Sequence, residues 1–98
     1  MKEITAAEFK QMQDSGKDFQ LIDVREQHEY DEMNIHGEHI PMGEVLDRVS
    51  EIAKDKPVVV HCRSGKRSAA VIHALESQHG YTNLINLQGG ILAYLELP

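Results

Sequence analysis

The sequence has one cysteine, Cys62, and no tryptophan. A single cysteine excludes an internal disulfide, and it excludes a cysteine-based zinc site built within one chain. Cys62 is therefore either inert or used in chemistry. It also has no resolving partner, so anything that it takes up covalently must be removed by a nucleophile from outside the chain.

Long apolar segments are missing as well. No apolar run approaches the ~20 residues that a membrane-spanning helix needs, and residues 1–4 do not open an apolar signal segment. The 98 residues, with 41% hydrophobic and 27% charged side chains, suit one compact domain spanning residues 1–98. We expect a soluble, cytoplasmic protein with no membrane partner.

Positive charge is scarce, since 10 Lys and Arg stand against 16 Asp and Glu, giving a net charge of -6. A nucleic-acid surface depends on clustered Lys and Arg, so no nucleic-acid partner is expected. Three of the ten basic residues nevertheless fall between Arg63 and Arg67. This local concentration is either a solvated loop or a site for a small anion.

Strand and helix patterns alternate along the chain. Strands are predicted up to Ile4 and over residues 20–24, 39–40, 57–61 and 83–87. Helices are predicted over residues 6–15, 26–33, 43–53, 69–79 and 91–97. Strands separated by helices of roughly ten residues indicate βαβ units. The predicted fold class is α/β, with a central parallel sheet of about five strands flanked by helices on both faces.

Several local signals place these elements. Thr5 begins a capping box, Ser68 can cap the helix that follows it, and Gly80 supplies a left-handed residue where that helix ends. Residues 58–60 are successive valines, as expected of a central strand covered on both faces. Cys62 directly follows the predicted strand over residues 57–61, at the carboxyl edge of the sheet where ligands of such folds bind.

The residues after Cys62 can favour a reactive thiolate. A cysteine pKa falls beside cations and at helix N-termini, and both are predicted here. If the segment curves around the sulfur, its amides can converge on it, and Gly65 permits the tight backbone. Arg63, Lys66 and Arg67 add charge around the rim. The alternative is a buried, inert cysteine at a strand end.

Four segments, in this order, resemble the motifs of single-domain rhodaneses, the thiosulfate sulfurtransferase family. The resemblance spans most of the chain. The segments are Leu21-Ile22-Asp23-Val24-Arg25-Glu26, then Gly37 to Pro41, then His61 to Ser68, which is similar to the catalytic loop C-R-S-G-x-R-S, and finally Asn86-Leu87-Gln88-Gly89-Gly90.

The resemblance implies a rhodanese-like fold and a sulfurtransferase with Cys62 as its catalytic nucleophile. Cys62 would take sulfane sulfur from thiosulfate or a similar donor as a persulfide, and a thiol, a protein thiol or cyanide would accept it. No cofactor is implied. The implied substrate-binding residues are Arg63, Ser64, Gly65, Lys66, Arg67 and Ser68.

Two other functions remain open at this point. Cysteine-dependent phosphatases, including relatives on the rhodanese fold, place five residues between cysteine and arginine, whereas Cys62 and Arg67 enclose four. The shorter loop is the one associated in this family with sulfur. A noncatalytic binding or sulfur-carrier module is the second alternative, although a binding module would usually lose its cysteine.

Further polar residues are candidates for the rim of the site. Asp23 and Arg25 sit at the end of a predicted strand, on the same edge as Cys62, and they can support the site from behind the substrate-binding residues. Arg25 either touches substrate or, as we favour, forms an ion pair with Glu29, four residues later. His36 and His39 have ligand-like spacing, but no metal site is expected because Gly37 and Pro41 make a helix there unfavourable.

Two groups of residues have simpler interpretations. The acidic group of the second predicted helix consists of Glu26, Glu29, Asp31 and Glu32. It is either a solvated face or a surface for a basic protein partner, and the sequence does not distinguish these. The leucines near the end of the chain are interpreted as core residues, and they are Leu84, Leu87, Leu92 and Leu95.

Overall fold

The structure is a computed structural model that describes every residue from Met1 to Pro98. At its centre is one sheet of five parallel strands in the order β1-β5-β4-β2-β3. The predicted α/β class with a parallel sheet of about five strands is confirmed. The strands are β1 (Lys2–Ile4), β2 (Gln20–Asp23), β3 (Glu38–His39), β4 (Val58–His61) and β5 (Leu84–Leu87).

Four α-helices connect or follow the strands. They are α1 (Ala6–Asp14), α2 (Gln27–Glu32), α3 (Lys66–His79) and α4 (Gly90–Leu95). Thr5 caps α1 in the predicted capping box, with its hydroxyl accepting from the Glu8 amide. Gly80 ends α3 in the predicted left-handed conformation, at φ 66°. None of these helices is both long and apolar enough to cross a membrane.

The sheet is covered on both faces, as predicted. One face carries the larger apolar cluster, in which β4 residues such as Val60 pack with Ile72 of α3 and with Val45. The other face carries a smaller cluster built on Phe9 of α1, against which Tyr94 of α4 packs. Because β4 lies between β5 and β2, all four of its residues are buried. Helix α2, by contrast, contributes no buried residue.

The helix predicted over residues 43–53 is wrong. The segment forms two 3₁₀ helices, Met42–Asp47 and Val49–Glu51, and Arg48 between them leaves helical geometry at φ -122° and ψ 27°. The apolar spacing nevertheless buries Val45 and Ile52 as a helix would. The β-branched side chains of this segment have low α-helix propensity, which disfavours a continuous α-helix. The tighter 3₁₀ turns still bury the same residues.

The predicted start of the helix after Cys62 is also wrong. Helix α3 begins at Lys66, three residues earlier than predicted, and its N-cap is Gly65 at φ 103°. Ser68 is therefore a residue of the first turn, and its hydroxyl is not used as a cap. This difference matters for the site because it leaves the Ser68 hydroxyl free to face the loop interior.

Candidate active site around Cys62

Cys62 directly follows β4, and its side chain is turned into the protein with only 1% of the residue exposed. The loop from Cys62 to Ser68 curves back so that three donors face the sulfur. The Gly65 amide lies 3.1 Å from Sγ, the Ser68 amide 3.4 Å, and the Ser68 hydroxyl 3.4 Å. Gly65 reaches this geometry through its positive φ, which a side chain would oppose.

These contacts decide the protonation of the thiol. Burial alone raises the pKa of Cys62, but the hydrogen bonds from Ser68, Gly65 and the Arg67 backbone outweigh it, so the pKa lies below its ordinary value. The first turn of α3 adds the positive end of its dipole. The site therefore favours a thiolate through hydrogen bonds from the loop, without a neighbouring general base.

Asn86 of β5 is hydrogen-bonded to two residues of the loop. Its side-chain amide donates to the Gly65 carbonyl at 3.3 Å and to Glu3 at 3.0 Å, while its oxygen accepts from the Ser68 hydroxyl at 2.5 Å. Asn86 is 2% exposed. The sequence placed it in the segment similar to N-L-x-G-G, but gave no sign of this contact.

The first turn of α4 packs against the loop and binds two of its carbonyls. The Ile91 amide donates to the Cys62 carbonyl at 2.9 Å, and the Leu92 amide donates to the Arg63 carbonyl at 3.2 Å. A Cβ at Gly90 would stand 2.3 Å from the Arg63 carbonyl oxygen. Only glycine permits this approach, so the Gly89-Gly90 pair is part of the site's construction.

The cations of the loop fall into two groups. Arg67 makes a two-fold ion pair with Glu29 of α2, at 2.7 Å from Nη1 and 2.9 Å from Nη2. The hydrogen bonds from Arg67 hold the pKa of Glu29 at about 2. Arg63 and Lys66 are exposed and make no ion pair. They are the two loop cations whose charge is not already balanced by a neighbour.

The favoured ion pair between Arg25 and Glu29 is wrong. Arg25 instead binds Asp23 through Nε at 3.0 Å and Nη2 at 2.8 Å, and both residues are buried. Nη2 also donates to the Met33 carbonyl at 2.7 Å, so Arg25 fastens the end of α2 to the sheet. The short two-residue separation brings Arg25 to Asp23, which leaves Glu29 for Arg67 across the site.

His61 lies beside this pair, because Asp23 and His61 are register partners on β2 and β4. Its Nε2 is 3.6 Å from the Asp23 carboxylate, and it is a buried side-chain atom with no hydrogen-bond partner. Burial lowers the pKa of His61, against the opposing effect of the Asp23 charge. A neutral, fully enclosed imidazole has a structural role, as a histidine at a strand end commonly does.

An open groove of about 440 Å³ lies between α2 and α4. Its apolar wall consists of Met33, Ile91, Leu92 and Leu95, and Arg63 is the residue of the loop that lines it. Leu84 and Leu87 are buried as predicted, but the core interpretation is wrong for Leu92, which is 41% exposed, and for Leu95, which is 50% exposed. Helical spacing near the end of the chain gave no information on which leucines the sheet would cover.

The fold and this cysteine loop match one known family. The sequence model of the rhodanese-like domain matches residues 5–97. The chain belongs to the rhodanese-like domain family.

Individual relatives agree with this assignment. The chain is 37% identical over 95 residues to a sulfurtransferase of Allochromatium vinosum, covering 96% of this chain and 88% of that protein. It is 37% identical over 90 residues to the Bacillus subtilis protein YrkF, covering 91% of this chain but only 48% of YrkF. The crystal structure of SSP1007 from Staphylococcus saprophyticus superposes with a TM-score of 0.87 at 32% identity, covering 96% and 93% of the two chains. Family and relatives together support sulfur transfer.

Proposed function

We propose that the protein is a sulfurtransferase in which Cys62 carries sulfane sulfur as a persulfide between a donor and a thiol or cyanide. The observation that carries the proposal is the convergence of the Gly65 amide and both Ser68 donors on Sγ. Such donors stabilise a thiolate before the reaction, and they suit the anionic sulfur of a persulfide after it.

The proposed reaction with thiosulfate is a double displacement. The Cys62 thiolate attacks the outer sulfur, the bond between the two thiosulfate sulfurs breaks, and its electron pair leaves with sulfite. The product is a Cys62 persulfide anion, so the total charge is unchanged. An acceptor thiolate or cyanide then attacks the terminal sulfur and returns Cys62 as a thiolate. No cofactor enters this sequence.

The loop cations would orient the donor. Arg63 and Lys66 are free to bind the sulfite oxygens, and the Arg67 Nε–H is not engaged by Glu29. The proposed substrate-binding set remains Arg63, Ser64, Gly65, Lys66, Arg67 and Ser68. Asp23 and Arg25 would act behind it by fixing α2, which carries the partner of Arg67.

Intact-protein mass spectrometry tests the proposal directly. After incubation with thiosulfate, the wild type is expected to gain the mass of one sulfur atom, cyanide is expected to reverse the gain, and Cys62→Ser is expected to show none. If several sulfane donors leave the wild type unmodified, the proposal fails. Turnover of a phosphate ester without sulfur uptake would instead establish a phosphatase.

A further inference from the structure

Glu3 lies on β1, an edge strand of the sheet, and its register partner on β5 is Asn86. Paired residues of neighbouring strands direct their side chains to the same face of a sheet. Here the Glu3 carboxylate accepts a hydrogen bond from Asn86 Nδ2 at 3.0 Å. Glu3 is exposed, whereas Asn86 is buried. A hydrogen-bonded path therefore leads from the protein surface to the side chain that contacts Ser68.

The neighbours of Asn86 fix the orientation of its amide. The amide nitrogen of an asparagine only donates, and its oxygen only accepts. Nδ2 faces two acceptors, the Glu3 carboxylate at 3.0 Å and the Gly65 carbonyl at 3.3 Å. A rotated amide would place Oδ1 against both of these oxygens. Oδ1 is therefore held toward the Ser68 hydroxyl, 2.5 Å away.

This orientation limits what the Ser68 hydroxyl can do. Its single proton goes either to Asn86 Oδ1 or to Cys62 Sγ, at 2.5 and 3.4 Å from Oγ. A hydrogen bond to a carboxylate polarises the amide that donates it, and hydrogen bonds in a chain strengthen one another. The charge of Glu3 thus makes Oδ1 a stronger acceptor, and Oδ1 competes with Sγ for the proton.

We propose that Glu3 is a positioning residue of the cysteine site, which fixes the Asn86 amide and so directs the Ser68 proton away from Sγ until the sulfur is charged. This inference rests on the proposed function and adds a residue from the other end of the chain to it. Hydrogen bonds from the loop lower the pKa of Cys62, and Glu3 limits that lowering. A thiolate of very low pKa is a weak nucleophile, so the limit favours attack on a sulfur donor.

The pH profile of iodoacetamide alkylation tests this role. Glu3→Gln keeps an acceptor oxygen and removes the charge, whereas Glu3→Ala removes both. Neither variant changes the apolar core. We expect the profile to move to lower pH by about 0.3 unit in Glu3→Gln and at least as far in Glu3→Ala, because a neighbouring bond changes a charge-assisted hydrogen bond by roughly a fifth. An unmoved profile, or a move to higher pH, would overturn the inference.

Lys2→Gln is the control for charge acting through space. Lys2 is the adjacent residue of β1, it is exposed, and its register partner is Ile85, so its side chain lies on the opposite face. It belongs to no ion pair. We expect no shift in Lys2→Gln at 0.15 M salt, where charges are screened over about 8 Å. A shift to higher pH as large as the opposite shift in Glu3→Gln would replace the hydrogen-bonded path with a general field.

A second substitution at Ser68 tests the path itself. Ser68→Ala removes the hydroxyl that connects Asn86 to Sγ, so Glu3→Gln is expected to leave the profile of this variant unmoved. The charged side chains nearest the sulfur are unchanged in all these variants; they are Arg63, Lys66 and Arg67 of the loop, Glu29 in its pair with Arg67, and the titratable His61 of β4. If Glu3→Gln shifts the profile equally with and without the hydroxyl, the inference is wrong.

Separate measurements distinguish this inference from the proposed function. Alkylation requires no sulfur donor, so its pH profile tests Glu3 alone, and the mass gained from thiosulfate tests the function alone. A persulfide with an unmoved profile in Glu3→Gln overturns the inference and leaves the function standing. A moved profile without any persulfide leaves the positioning of Ser68 standing and overturns the function. Where both hold, sulfur uptake at a pH that fully ionises Cys62 is expected to be slower by about a quarter in Glu3→Gln.

Discussion

The hydroxyl of Ser68 lies 2.5 Å from Asn86 Oδ1 and 3.4 Å from Cys62 Sγ. A hydroxyl has one proton, so it cannot donate fully to both acceptors. The shorter distance favours donation to Asn86 while Cys62 is a thiol, and a thiolate competes for the same proton. Ser68 thus couples the charge of the sulfur to the strand that supports the loop.

The first prediction concerns this hydroxyl. Ser68→Ala removes a donor to Sγ, so the pKa of Cys62 rises and less thiolate is present at neutral pH. We expect the rate of sulfur uptake at pH 7 to fall at least about tenfold, because a hydrogen bond to a charged group contributes about 1.5–3 kcal/mol. The pH profile of iodoacetamide alkylation checks the cause, since it must shift to higher pH. An unshifted profile would assign Ser68 a purely structural role.

The second prediction concerns Gly90. Gly90→Ala is expected to destabilise the protein by about 3 kcal/mol or more and to disrupt sulfur uptake, because its Cβ would meet the Arg63 and Cys62 carbonyls. Two controls separate strain from contact. Gly80 also has a positive φ but open space around it, and Gly43 has open space without a positive φ.

In urea unfolding, Gly80→Ala is expected to cost about 1–2 kcal/mol and Gly43→Ala less than about 1 kcal/mol. Neither control is expected to change sulfur uptake in the folded state. Equal losses in Gly80→Ala and Gly90→Ala would mean that backbone conformation, rather than the approach to the loop, makes Gly90 necessary.

The third prediction is that the ion pair between Glu29 and Arg67 contributes to the free energy of unfolding in a pH-dependent way. The pKa of Glu29 is about 2 in the folded protein against an ordinary value of 4.5, so its stabilising effect is complete above pH 4.5 and is lost as the pH falls toward 2. Glu29→Gln is expected to lower the free energy of unfolding by about 1–2 kcal/mol at pH 7. The difference from wild type should shrink steadily between pH 4.5 and 2.5.

Urea titrations at several pH values check this expectation. Glu44→Gln is the matched control, because the exposed Glu44 shares Arg48 with Glu51 and its loss leaves one pair intact. Its effect should stay below about 0.5 kcal/mol at every pH. A difference for Glu29→Gln that does not vary with pH would exclude the ion pair as its source.

The fourth prediction concerns the buried pair of Asp23 and Arg25. Asp23→Asn leaves the Arg25 charge enclosed without a carboxylate, and it is expected to cost about 3–5 kcal/mol. The surface pair of Lys10 and Asp14 is the contrast, since both side chains are about half exposed or more. Asp14→Asn is expected to cost less than about 1 kcal/mol. Chemical denaturation of both variants measures the difference, and similar values would contradict the structural role given to Arg25.

The fifth prediction concerns the unpaired loop cations. Arg63→Ala and Lys66→Ala are each expected to raise the KM for thiosulfate about fivefold at low ionic strength, and by less at high salt, because exposed charges are screened. Lys56→Ala, at a surface pair with Asp18, is the control and should leave KM unchanged. A salt-independent loss in Arg63→Ala would point to packing rather than charge.

The overall fold could be read from local patterns because each strand and helix carried a separate signal. The successive valines before Cys62 indicated a strand buried on both faces, and β4 is central in the sheet. Burial was recoverable even where the helix type was wrong, since Val45 and Ile52 are buried in 3₁₀ geometry. The spacing of apolar residues predicts which of them are buried more reliably than it predicts whether the segment is an α-helix or a 3₁₀ helix.

The partners of the site residues were not recoverable in the same way. Glu29 lies four residues after Arg25 but binds Arg67, 38 residues later in the chain. Arg25 pairs with Asp23 instead, and this pairing is evident only in the folded structure. The contacts of Asn86 and the exposure of Leu92 and Leu95 could not be predicted for the same reason, because they depend on elements that are distant in sequence and packed together in the fold.

The carbonyls of Cys62 and Arg63 are bound by the amides of Ile91 and Leu92, while the amides of Gly65 and Ser68 face Sγ. The dipoles of the loop are therefore aligned by its outer contacts before any charge forms on the sulfur. Under the proposed function, little reorientation of these dipoles is required when Cys62 gains or loses a second sulfur atom. The free-energy cost of orienting these dipoles is therefore part of folding and does not recur in each catalytic cycle.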